Sequence, residues 1–195
     1  MSKQPQQEPE VFYPKNVTEW RAWLAENHLS KQSVWVVFHA KSSATPSISW
    51  SEAVDVALCF GWIDSKKIKV GPTISHQYFT KRKPKSNWSR INKEKIEKLT
   101  ASGEMTQAGL QAVEIAKQNG SWTLVDSVED MIIPSDLEQA LTQHHGAKDY
   151  FMNLSKTIKK MMLYWVISAK REATRQNRIN EIAQAAAQQQ KPKQF

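Results

Sequence analysis

Apolar positions in the first hundred residues switch between two periods. Trp20, Trp23 and Leu24 recur at helical spacing behind Asn16, which with Glu19 resembles a capping box. Ser33 to Ala40 (SVWVVFHA) is β-branched and aromatic and predicts the best strand of the chain. Ser49 with Glu52 opens a second helix, and Gly61 can supply its left-handed end. Trp62 to Val70 and Ser75 to Thr80 predict two short strands around a Gly71-Pro72 turn, giving a small antiparallel sheet of about three strands.

After Pro84 the pattern is helical. Ser86 or Ser89 caps a helix running to about Ala101, with Gly103 ending it. Thr106 caps the next, which Gly120 closes. Trp122 to Pro134 reads as an irregular connection. Ser135 with Glu138 predicts another capping box, with that helix ending near Gly146. From Ser155, the residues Ile158, Met161, Met162 and Trp165 form an apolar stripe. Ala169 to Thr174 has no breaker, so one long helix and two with a bend both fit. The expected fold is α+β, a predominantly helical single domain over 14–182 with the sheet in its N-terminal half. The Gln- and Pro-biased ends, 1–13 and 183–195, lack the apolar residues that offset ordering entropy and are expected to be frayed or disordered tails. The Ala-Gln stretch can nonetheless extend the last helix.

The 195 residues are 40% apolar, enough to bury a core, and no apolar run reaches the ~18 residues of a membrane span. Residues 1–10 carry no apolar signal-peptide core, and the lone Cys59 excludes an internal disulfide and a cysteine zinc cluster. The expected compartment is therefore the cytoplasm. The net charge of +8 is uneven: Lys66 to Lys98 carries 11 basic and 2 acidic residues, and Lys156 to Arg178 carries 7 basic and 1 acidic. Such a field attracts anions; the plainer alternative is Lys-rich helix faces that do no more than meet water.

No G-x-S-x-G, P-loop, H-E-x-x-H or dinucleotide fingerprint occurs, and the five histidines are scattered, so neither a cofactor nor a metal is expected. Cys59, beside Leu58 and Phe60, reads as a buried, inert thiol. Two segments carry candidate chemistry. In Cys59 to Asp64, strand alternation puts Trp62 and Asp64 on one face, where a carboxylate beside an indole could bind a polar group or act as a base. It could equally be a structural acceptor. In Tyr78 to Ser89, with Asn92 following, cations run into a Ser-capped helix start. Free N–H groups and the dipole there favour an anion, Arg82 can fork onto phosphate or carboxylate, and Trp88 can offer a stacking face. The alternative is an ordinary cap with Trp88 in the core. The stripe from Lys156 to Arg178 reads as a packed helix with a wet basic face.

The strings ALCFGWID (57–64), KRKPKSNWS (81–89) with Asn92, GEMTQAGL (103–110), AKQNGSW (116–122) and AKREATR (169–175) with Arg178-Ile179 together resemble the YdeI/OmpD-associated, or bacteriocin-protection, family of bacterial proteins over roughly 18–182. The resemblance implies a link to antimicrobial-peptide tolerance and the cell envelope, and no defined reaction. Where the family often reads Pro-Arg-Arg-Pro, this chain has Lys81 to Pro84, and the missing proline loosens the strand exit.

The leading expectation is a stress- or defence-linked protein binding a small anionic ligand or an acidic protein surface. The ligand would sit where Trp62, Asp64, Arg82, Ser86, Trp88, Ser89 and Asn92 converge. A second expectation is sequence-independent nucleic-acid binding through the basic segments. A third is an enzyme with Asp64 as general base and Arg82 or Ser89 stabilising negative charge.

Overall fold

The structure is a computed structural model that describes residues 10–195. Nine helices and four strands are assigned among these residues, so the α+β class and the helical majority hold. The residues group into two compact units. The first comprises the described part of 1–86 with Ile91–Trp122, and the second comprises Asn87–Arg90 with Thr123–Phe195.

In the first unit the sheet gains a strand that periodicity could not reveal. β1 (Glu10–Phe12) pairs in parallel with β2 (Ser33–His39), which pairs antiparallel with β4 (Ile74–Lys81), and β4 with β3 (Trp62–Lys69). The order β1-β2-β4-β3 makes a mixed four-stranded sheet rather than an antiparallel three-stranded one. The tail expected over 1–13 is thus corrected for Glu10–Phe12, whose backbone bonds to β2; residues 1–9 lie outside the described residues. Three residues are too few to show an alternation.

α1 (Val17–Asn27) starts at Asn16, whose side chain accepts from Glu19 N–H. The returning Glu19 carboxylate accepts from Lys15 N–H, one residue earlier than a capping box requires. α2 (Trp50–Cys59) has the full reciprocal box between Ser49 and Glu52. Phe12, Trp20, Trp23, Trp62 and Phe79 form one aromatic cluster with ring centroids 5.4–6.2 Å apart. Such pairs add about 0.5–1.5 kcal/mol each beyond area burial.

α3 (Arg90–Ala101) and α4 (Gln107–Gln118) follow, with Thr106 capping α4 as expected. Thr106 also donates from Oγ1 to Cys59 O at 2.6 Å, tying the start of α4 to the end of α2. The two helices approach so closely that a Cβ on Gly109 would lie 2.3 Å from that same carbonyl oxygen. Gly61, at φ +71°, turns the chain from α2 into β3.

The second unit is helical: α5 (Asp126–Glu129), α6 (Ser135–Thr142), α7 (Ala147–Asn153), α8 (Lys156–Ile167) and α9 (Glu172–Ala187). Its core includes Leu137, Leu141, Phe151, Leu163 and Ile179, all fully buried. The expected Ser135 cap is not formed: Pro134 occupies the cap position, its carbonyl accepting from Glu138 N–H, and Ser135 is already helical. Between α8 and α9 the helix breaks over residues 168–171, giving two helices. The tail expected from 183 is also corrected. Ala183 and Ala186 are buried in α9, and Phe195 packs edge-on against Trp165, so small apolar residues at helical spacing do supply a buried stripe. Among the described residues no helix is long and apolar enough to cross a membrane.

Candidate functional site

In the first unit, α2 delivers Trp50 and β3 delivers Asp64, and the two side chains meet. Trp50 Nε1 donates to Asp64 Oδ2 at 2.9 Å, and Gln77 Nε2 from β4 donates to the same oxygen at 3.1 Å. Gln77 is buried, so this bond and a second to Ser65 O (3.0 Å) satisfy its amide nitrogen. Asp64 is therefore an acceptor that fixes neighbours. Arg82 lies within its field, and Arg82 N–H bonds Gly61 O at 2.9 Å. Burial pushes the Arg82 guanidinium down to about 10, with the Asp64 charge partly opposing that shift, so it is still cationic at neutral pH.

A β-bulge decides which way the next lysines face. The register of β3 on β4 slips between Asp64 (opposite Phe79) and Lys67 (opposite Gln77), leaving Ser65 and Lys66 in the space of one residue. The slip returns Lys67 and Lys69 to the face that carries Gln77 and Ser75, and turns Lys66 to the other.

On the Lys67 face lies a cleft of about 430 Å³. Lys41, Lys67, Lys69, His39, Trp50, Ser75 and Gln77 contribute to its lining, with the turn over 71–74 and Phe38 closing one side. Among the described residues its lining contains no carboxylate. Trp50 is 52% exposed, an unusual state for an indole anchored by its ring nitrogen. The start of α2 adds little attraction for an anion, because Glu52 already caps it, its carboxyl held below the usual range by hydrogen bonds from the Ser49 side chain and then the Ser49 backbone N–H. The lysines carry the site.

Of the seven residues expected to converge, Asp64 and Arg82 lie near enough to interact. Trp62, Asp64, Arg82, Ser86 and Asn92 belong to the first unit; Trp88 and Ser89 belong to the second. None of the seven lines the cleft. Trp62 is fully buried, its Nε1 donating to His28 O at 3.4 Å, and Trp88 is 2% exposed, so neither indole offers a stacking face to solvent. Ser86 closes a turn, its hydroxyl donating to Lys83 O at 2.8 Å. Asn92 lies in the first turn of α3. Cys59 is fully buried, and desolvation pushes its thiol up despite nearby Arg21, as an unreactive sulfur requires. Among the described residues no group of three His, Cys, Asp or Glu side chains is placed to hold a metal.

The fold and cleft define a class: an α+β protein with a lysine-lined cleft beside an anchored, exposed tryptophan. Residues 12–112, more than half of the chain, match a family described as a domain of unknown function (DUF8412), and the chain belongs to that family. Residues 130–189 match the family described as bacteriocin-protection, YdeI or OmpD-associated. The resemblance drawn over 18–182 is thus carried by α6 to α9, while the sheet-bearing half matches a different family. No curated protein and no solved structure matches the chain.

Proposed function

We propose that the protein is a binding module for a small anionic ligand, seated in the cleft between Trp50 and the β3 lysines Lys67 and Lys69. The observation that carries this reading is a concave surface with three lysines, an exposed indole and no carboxylate among its described lining residues. Its size, about 430 Å³, fits the range typical of small-molecule pockets better than the flat area of a protein interface. Asp64 serves it indirectly by holding the Trp50 ring through Nε1. Asp64 acts as a positioning residue rather than as a ligand contact, and Arg82 lies outside the cleft lining. The match of 130–189 to a bacteriocin-protection family supports a role for this binding in antimicrobial-peptide tolerance, and the single, buried, reduced Cys59 is compatible with the cytoplasm.

A thermal-shift screen of phosphates, nucleotides and carboxylates tests the proposal. A ligand at a hundred times its Kd stabilises by about 2.7 kcal/mol, a rise of several degrees. The rise should vanish in Lys67→Ala/Lys69→Ala and persist in Arg82→Ala. Persistence in the lysine variant would displace the site, and no hit in the panel would remove the ligand.

A further inference from the structure

The opposite face of the sheet has a different chemistry. There Trp35 of β2 and Tyr78 of β4 are direct cross-strand partners, with ring centroids 4.7 Å apart, and both are partly exposed. Lys66, turned to this face by the bulge, sets its ammonium 5.1 Å from each ring centroid. His76 lies 6.4 Å from Trp35, and Val11 and Ile68 flank the group at 55% and 43% exposure. By the register, the described positions of the four strands that share this face include no Asp or Glu. The chain from Ser65 to Lys93 likewise holds nine Lys or Arg and no carboxylate.

We infer that this face binds single-stranded nucleic acid, with bases stacking on Trp35 and Tyr78 and Lys66 moving from the rings to a phosphate. Charge complementarity selects a polyanion, and the partly open aromatic pair selects one whose π-faces are unpaired. A duplex keeps its bases stacked and presents only phosphates, so the rings would add nothing to its binding. This face is independent of the cleft, which lies on the other side of the sheet and takes a small anion.

The test is fluorescence anisotropy of a labelled oligothymidylate of about 12 nucleotides with the full chain at about 20 mM salt. Unlabelled duplex and heparin serve as competitors. The expected result is binding that weakens steeply with salt, with duplex and heparin competing about tenfold less well than the unlabelled single strand. Tyr78→Ala should lose about fivefold or more and Tyr78→Phe should retain wild-type affinity, because the ring and not the hydroxyl stacks. Lys66→Glu should weaken binding without the ring loss, and it serves as the readout if a ring variant fails to fold. Equal competition by duplex or heparin, unchanged affinity in Tyr78→Ala or in Lys66→Glu, or no binding at low salt would each overturn it. Loss of small-anion binding in Lys67→Ala/Lys69→Ala leaves this result unaffected, so the two proposals fail separately.

Discussion

Trp50, the first residue of α2, donates its indole N–H to the carboxylate of Asp64, fourteen residues later on β3. That one bond fixes an exposed aromatic ring at the mouth of a basic cleft, and it makes Asp64 a structural acceptor. A carboxylate bonded to both Trp50 and Gln77 has a role without any chemistry to perform.

Removing the Asp64 acceptor should therefore be felt as stability and as ligand affinity together. Asp64→Ala leaves Trp50 unanchored, strips one bond from the buried Gln77 amide and removes a counter-charge from Arg82. A loss of about 1–3 kcal/mol is expected by urea unfolding, the cost of buried polar groups left without partners. Trp50→Phe removes the bond but keeps an aromatic, and should cost about 0.5–1.5 kcal/mol.

Gly109 is predicted to be intolerant of any side chain. A Cβ there meets Cys59 O at 2.3 Å and Leu58 O at 2.8 Å, both backbone atoms that cannot swing away. Gly109→Ala should lower stability by about 3 kcal/mol or more, despite alanine's better helix propensity of ~1 kcal/mol. Gly103→Ala, with open space around it but φ +74°, is the milder control, at about 1–2 kcal/mol.

In the second unit, Arg175 donates to both oxygens of Asp136, at 2.7 and 2.9 Å. The Arg175 hydrogen bonds hold the Asp136 carboxyl below its ordinary 3.8, so the folded state binds this proton less readily than the unfolded chain. The stabilisation is accordingly complete above pH 3.8 and fades as pH falls through the lowered value. Asp136→Asn should flatten this acid limb of the stability curve, with the difference from wild type greatest near neutral pH and vanishing in acid.

Much of the fold is legible in the sequence because local chemistry and tertiary role agree. Asn16, Ser49, Thr106 and Ser155 start the helices their side chains cap, and the SVWVVF run is a strand. Where one residue type serves two roles, the pattern misleads. Ser135 looks like a cap but follows Pro134, whose extended backbone takes that position. The candidate site was less legible. Strings of charge and aromatic residues point to Trp62 and Trp88, yet both indoles are buried. Trp50, Lys67 and Lys69 form the cleft wall because of a one-residue bulge, and nothing in the string Asp64-Ser65-Lys66-Lys67 announces a register slip. Trp50 itself sits three and four residues before the buried Ala53 and Val54, so its spacing reads as core although the ring is exposed.

Whether the cleft cations hold an anion is decided by calorimetric titration of a stabilising ligand into wild type and Lys67→Glu/Lys69→Glu. Two charge reversals on the cleft wall should abolish measurable binding while the stability of the free protein changes by no more than about 0.5 kcal/mol, since both side chains are exposed. Unchanged affinity in that variant, with the protein folded, would remove the cleft as the anion site.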